Sequence, residues 1–364
     1  MHIMMGEVKL DMNRNIWQVY GTDAHQMTMK LLEESHAIDL VPQGGTVALK
    51  PNFVVSDVPE NGAVTHPGVV SACIEYFQTY GITDISVIES CWVGDETMRA
   101  MRKNGCDKVL KKYNIPFYDL KKDTYRRVSS PIGHIEVCER ALNATLLVDL
   151  PVLKGHCQTR MTCALKNLKG CIPDREKRRF HSLGLMEPIA ALGSILKPGL
   201  IIVDSICGDL NFEEGGTPVH TNRMYLGTDA VQVDAYGCSL MGLDVEDVPY
   251  IHLAEEYGAG DSSWSHDDLV MLNEPTDAME YPKPSGTVAR LTKHVHQDKA
   301  CSACFASLVR ALYTNSGSTK EIYIGQGWQG KAMTGLGSGR CAKGATECVM
   351  GCPPTPEAIL KHLQ

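Results

Sequence analysis

The sequence predicts an α/β fold: a mostly parallel sheet with helices on both faces, plus a small C-terminal cysteine-rich segment that binds a metal cluster. Three observations carry this. Short apolar runs rich in β-branched residues alternate with stretches of helical character, the pattern of βαβ units. Polar or basic residues follow each run. Of fourteen cysteines, the last five crowd into the chain from Cys301 onward.

The runs expected as buried strands are residues 46–49 (TVAL), 85–88 (ISVI), 146–150 (LLVDL), 200–203 (LIIV) and 322–324 (IYI). Helices are expected over 67–80, 96–113, 185–196 and 230–241. In open α/β sheets, ligands collect at the carboxyl edge of the strands. Lys50-Pro51-Asn52, Glu89-Ser90, Lys154-Gly155-His156 and Asp204-Ser205 all follow strands, so one shared cleft is expected. Thr65 is expected to cap the helix that Pro67 opens, and Asp229 to cap the one after it in LGTDAVQVDAYG. Asp234 falls inside that helix, where a buried carboxylate needs a partner. Residues 261–297 include a proline-punctuated tract (PTDAMEYPKPSG) and read as a linker or excursion. The division is therefore an α/β domain over 1–260, the linker, and a cluster-binding segment over 298–364.

The 364 residues carry 43% hydrophobic side chains, enough for a sizeable core, and a formal net charge of -8. That balance gives no basic field for nucleic acid or anionic lipid, so neither is expected as a partner. The start of the chain lacks the pattern of a signal peptide, and no apolar run approaches the roughly 20 residues of a membrane span. A cytoplasmic protein is expected. There, disulfides are disfavoured, and clustered cysteines point to a metal.

Cys301 and Cys304 form a C-x2-C pair in CSACFASLVRAL. Cys341 follows the glycines of GLGSGRC, and Cys352 precedes two prolines in GCPP. Glycine lets backbone wrap closely round a ligand, and a cysteine followed by proline recurs in ferredoxin-type loops. Cys348 is the spare thiol. A four-cysteine zinc site competes, but zinc modules usually show two tight C-x2-C pairs, and only one is present. An iron–sulfur cluster, [4Fe–4S] rather than [2Fe–2S], is therefore expected on Cys301, Cys304, Cys341 and Cys352.

The second chemical signal is DLPVLKGHCQTRMTCALKNLKGCIPDREKRRFH. Lysines and arginines grouped after a buried strand bind carboxylate or phosphate, Lys as a point charge and Arg as a fork. A helical phase through 162–168 puts Lys166 and Lys169 near one face. Lys50, Asn52, Lys154, Asn167 and Arg178 are the candidates to hold a small anion. His156, His181, Lys166 and Glu89 are the candidates to move protons. No G-x-G-x-x-G or P-loop is present, so nicotinamide or ATP use is unsupported.

Together, KPNFV (50–54), THP (65–67), ES (89–90), PVLKGH (151–156), ALKNLKG (164–170), Arg178 with His181, GTDAVQVDAYG (227–237) and the terminal GCPP resemble the domain-of-unknown-function 362 family of prokaryotic proteins. The resemblance implies an α/β domain joined to an iron–sulfur region, and it implies no particular reaction. This sequence departs from members that carry a conventional ferredoxin module. Three functions follow as expectations. The favoured one is a redox enzyme acting on the small anion, with an electron-donor protein as partner. The second is an isomerase, lyase or dehydratase whose cluster is a Lewis acid or a staple. The third is an electron-transfer or maturation partner.

Overall fold

The computed structural model describes residues 14–209, 218–275, 290–298, 300 and 302–363, apart from the side chains of 302, 303 and 306. Its main sheet takes strands β1 (Ile16–Tyr20), β2 (Val47–Pro51), β3 (Ile85–Glu89) and β4 (Phe117–Asp119). A hairpin of β5 (Tyr125–Ser130) and β6 (Gly133–Cys138) stands apart from it. Then come β7 (Leu146–Leu150), the short hairpin of β8 (Lys154–His156) and β9 (Arg160–Thr162), and the sheet strands β10 (Leu200–Asp209), β11 (Pro218–Gly227) and β12 (Leu269–Met271). The eight strands lie in the order β12-β1-β11-β10-β7-β2-β3-β4. Only β11 runs against its neighbours, so β2, β3, β7 and β10 end on the same edge.

The strand period of two divides the core. Val47, Leu49, Leu146, Val148 and Ile202 pack on helices α1 (Ala24–Glu34), α2 (Pro67–Thr79), α3 (Thr97–Asn104) and α4 (Cys106–Tyr113). Ala48, Leu147, Ile201 and Val203 point the other way. After the single turn α5 (Glu139–Asn143), that second face is covered by α6 (Ala164–Asn167), α7 (Asp174–Leu183), α8 (Met186–Ile195), α9 (Ala230–Leu240) and α10 (Tyr250–Glu256). Where one helix was expected over 96–113 there are two, because Gly105 takes φ 91° and turns the chain.

The C-terminal cysteines belong to a second, four-stranded parallel sheet: β13 (Val295–Gln297), β14 (Ile322–Ile324), β15 (Met333–Ser338) and β16 (Ala345–Val349). It packs on α11 (Ser302–Thr314) and α12 (Pro356–Leu363) around Leu308, Leu312, Ile322, Leu336 and Ile359. The linker expected over 261–297 is more than a linker: Leu269–Met271 pairs with β1 as an edge strand, and Val295–Gln297 joins the second sheet. Apolar side chains at both ends of that stretch had sheet edges to satisfy.

Thr65 does not cap α2. The cap is His66, whose Nδ1 accepts from the Gly68 amide at 3.0 Å. Buried Thr65 instead ties two strand ends together: its Oγ1 accepts from Asn52 N and donates to Leu150 O, both at 2.7 Å. Thr65→Val keeps the shape and removes both bonds, leaving a buried amide and a buried carbonyl without that partner. It is expected to lower stability by about 1–3 kcal/mol, read as a shift of the urea midpoint.

Candidate functional site

At the common carboxyl edge the ends of β2, β3 and β7 enclose a cleft with α6 and α7, and its cavity is about 80 Å³. Its floor is an ion pair: Lys50 Nζ stands 2.5 Å from Glu89 Oε2, with both side chains buried. Lys50 also donates to Pro51 O at 3.0 Å, and Glu89 Oε1 accepts from Ser90 N at 2.6 Å. Burial alone would lower the pKa of Lys50, but the charges of Glu89, Cys171 and Asp149 outweigh it and hold it raised. Gly170 passes directly over this pair. A Cβ there would meet Glu89 Oε1 at 2.0 Å and Lys50 Nζ at 2.7 Å, so only glycine closes the floor.

The wall above is cationic. Lys154, Lys166, Lys169 and Lys177 line the cavity with Asn52, Asn167, Thr162 and His181, and Glu89 is the one carboxylate among the described residues that line it. Lys154 is buried, with Nζ near Asn52 Oδ1 (3.5 Å) and donating to Ala63 O. Lys166 Nζ donates to Thr162 Oγ1 at 3.1 Å, and Lys169 Nζ lies 3.3 Å from His181 Nε2. Buried Asp234 sets this turn in place: its carboxylate accepts from the Ala164 and Leu165 amides at 2.7 and 3.3 Å, capping α6. Burial pushes Asp234 up to about 7.

His181 and His156 are both held neutral well below their usual range, first by burial and then by the lysines around them. His181 lines the cleft. His156 is not among the lining residues; it sits in the β8–β9 hairpin, where its Nδ1 accepts from the Gln158 and Thr159 amides at 3.1 and 3.0 Å. The sequence predicts only a polar segment after a strand, and the tight turn that uses the imidazole is a feature of the hairpin. Arg178 is exposed on α7 and is also outside the lining. Its neighbour Lys177 takes the inward place because 177 and 181 lie one helical turn apart. The three donors of Lys177 go to Ser90 O (3.0 Å), Ser90 Oγ (2.6 Å) and Cys91 O (2.7 Å). Lys177 was passed over in the sequence, although its spacing of four from His181 was the signal.

Asp149, which also escaped notice, sits mid-network beside Lys50 in the β2–β7 ladder. Its Oδ1 accepts from Asn167 Nδ2 at 2.8 Å, while Oδ2 is buried without a hydrogen-bond partner. Burial pushes this carboxyl up to about 8.

In the C-terminal unit the cysteine loops approach one another at Gly339. A Cβ there would make ordinary contacts, 3.4 Å from buried Cys304 Sγ and 3.6 Å from Gly351 O, and it is the φ of 91° that favours glycine. Arg340 N donates to Gly351 O at 2.9 Å, which brings the loop of Cys341 against that of Cys352. The spare Cys348 lies with Sγ 3.7 Å from Gly339 O. Cys301 lies outside the described residues. These loops offer thiol sulfurs, the donor type that iron–sulfur groups take. Among the described residues, no three His, Cys, Asp or Glu side chains stand together as a metal-ligand set. The unit meets the cleft domain at the β8–β9 turn, where Cys157 packs on its core and Gln158 Nε2 lies 3.5 Å from Ala300 O.

A family model described as a domain of unknown function (DUF362) matches residues 47–239, from β2 into α9. The chain belongs to this family. The match covers every residue that lines the cleft. This DUF362 chain is also 26% identical over 236 residues to a thylakoid-associated protein of Synechocystis sp., covering 60% of this chain and 70% of that one. Among solved structures it is similar to the lactate racemase apoprotein of Thermoanaerobacterium thermosaccharolyticum, with TM-score 0.44 and 15% identity. That likeness covers 64% of this chain and 58%, less than two thirds, of the other. Among the described residues no helix is long and apolar enough to cross a membrane.

The buried carboxyl of Asp149 implies a pH dependence whose sign is fixed. Between about pH 4 and 8 the folded state keeps a proton that the unfolded chain has lost. Stability therefore falls as pH rises through that window. Asp149→Asn is expected to flatten the fall, measured as urea midpoints across the range; an equally steep profile would mean that Asp149 is ionised when folded.

Proposed function

We propose that this chain is an enzyme that holds the anionic group of a small substrate between Lys154, Lys166 and Lys169, beside a four-cysteine iron–sulfur site. The observation that carries the first half is the gathering of lysines in the cleft. Among the described residues that line it, four lysines stand with one carboxylate, Glu89, which Lys50 matches from beneath, and Lys177 has Asp174 at 3.7 Å. The histidines add no charge. Cations gathered in a partly desolvated cleft favour an anion as counter-charge, and a cavity of about 80 Å³ suits a carboxylate or phosphate group rather than a nucleotide.

Each residue then has a task. Lys154, Lys166 and Lys169 bind and orient the anion, and Asn167 is fixed by Asp149 so that its amide keeps one position. His181 Nε2 and Lys169 Nζ, 3.3 Å apart, hold a proton between them at the cleft wall. A neutral imidazole beside ammonium groups accepts a proton reluctantly and returns it readily, which suits proton transfer to a substrate. Glu89, bound to Lys50 and under Gly170, organises the floor rather than exchanging protons.

In the favoured reading the reaction is a redox one. Cys304, Cys341 and Cys352, with Cys301, would hold the cluster, which supplies one-electron transfer when bound. The contact of Cys157 with the core around Cys304 supports this reading, since it places the two units side by side. An electron-donor protein is the partner this implies. The enclosed lysine cleft supports an enzyme over a bare electron carrier. A cytoplasmic location belongs to the same proposal.

Two experiments test the two halves. Lys166→Ala is expected to weaken phosphate binding about tenfold, roughly the loss of one charge-assisted contact, with the thermal midpoint nearly unchanged. Undiminished binding in that variant would return Lys166 to an ordinary solvated side chain. Anaerobically purified protein is expected to carry about four irons and four acid-labile sulfides, and Cys304→Ser to lose them. Zinc without sulfide, after attempted reconstitution, would make the cysteines a structural clip.

A further inference from the structure

We infer that the ligand of the cleft is amphipathic, an anionic head bearing a flat apolar body, and that Trp92 is the residue that selects for the body. The inference rests on the anion-binding reading and adds a substrate class to it.

The cleft has a depth gradient. Lys154, Asn52, Glu89 and Ser90 are buried, whereas Val54, Trp92, Lys166 and Lys169 are half-buried and form the mouth. The mouth thus combines two ammonium groups with the apolar Val54 and Trp92. A cavity of about 80 Å³ takes the head of a ligand, and whatever is attached must leave past that rim.

The backbone that carries the indole is fixed by hydrogen bonds. Trp92 N donates to Val54 O at 2.9 Å, and Trp92 O accepts from Lys121 Nζ at 3.0 Å. The same ammonium donates to Asp95 O at 2.8 Å, and Asp95 is bound to Ser56 N and Oγ at 2.7 and 2.9 Å. The ring folds over Gly94, where a Cβ would meet indole Cζ3 at 2.0 Å and Cη2 at 2.4 Å. Glycine at 94 therefore gives the ring its place. A partly exposed aromatic face, fixed at the mouth of a cationic cleft, stabilises a ligand by covering hydrocarbon or stacking on a ring. A bare inorganic ion would gain nothing from it.

Acetate and benzoate share one carboxylate head and differ only in the body, so their affinities for the full chain, measured by ligand-observed NMR, test the inference. Benzoate is expected to bind at least about tenfold more tightly, and Trp92→Phe to keep most of that gap. Trp92→Ala should narrow it to about threefold or less, as should Gly94→Ala, whose new Cβ evicts the indole. Equal affinities in the unsubstituted chain, or an unchanged gap in folded Trp92→Ala protein, would overturn the inference while leaving the anion reading in place. Failure of acetate, benzoate and inorganic phosphate alike to bind would overturn the anion reading, and this inference with it.

Discussion

The Lys50–Glu89 ion pair joins the ends of β2 and β3, and every other part of the cleft is built upon it. Removing either partner would leave a buried charge, which costs about 3–5 kcal/mol, so the pair constrains whatever lies around it. Gly170 is pressed over it without room for a side chain. Ser90, next to Glu89, donates from Oγ to Gly170 O at 2.6 Å and accepts from Lys177 Nζ at the same distance. Lys177 in turn fixes α7, which sets His181 one turn further along. A single line of contacts thus runs from the sheet edge to the proton-bearing wall. The parallel ladder is what makes it short, because parallel neighbours put β2 and β3 side by side with their ends aligned.

Electrostatics follow from the same crowding. Burial first, and then the lysines around them, keeps both histidines neutral. Carboxyls meet the opposite force: Asp149 and Asp234 are buried where water cannot reach them, and burial raises both. Asp234 offsets part of its burial by capping α6, as the helix N-terminus offers free amides. Asp149 has one oxygen satisfied by Asn167 and one without a hydrogen-bond partner.

How much of this could be read from the chain depends on the kind of signal. β7 occupies the very residues expected from LLVDL, and β2 and β3 fall within a residue or two, because buried strands announce themselves by composition. β11 has only a short run: Met224, Tyr225 and Leu226 face the two cores in turn, after the polar stretch of His220, Thr221, Asn222 and Arg223. Asn52, Glu89, Lys154, Lys166, Asn167 and His181 line the cleft where strand ends predicted a shared site, and Lys50 lies beneath them on Glu89. Arg178 and His156 are not, for reasons a linear text conceals: a helix phase one residue out, and a hairpin turn that claims the imidazole. Trp92 and Gly170 were legible only as a bulky residue and a small one. Their meaning lies in what passes over what, and no spacing rule carries that.

The β8–β9 hairpin is where the two halves of the proposed function would have to meet. Strand geometry puts alternate residues on opposite faces, so Lys154 can reach into the cleft while Cys157, just past the strand, reaches out to the core that surrounds Cys304. His156 closes the turn between them with two accepted amide bonds, which removes the freedom that would otherwise separate the contacts. Three residues of chain therefore connect a cleft lysine to the packing of a cysteine-bearing unit. Side chains in a close-packed interior relay displacement rather than absorb it. A cleft lysine and a contact with the cysteine-bearing unit thus sit on one hairpin, with only residues 157–159 between its strands.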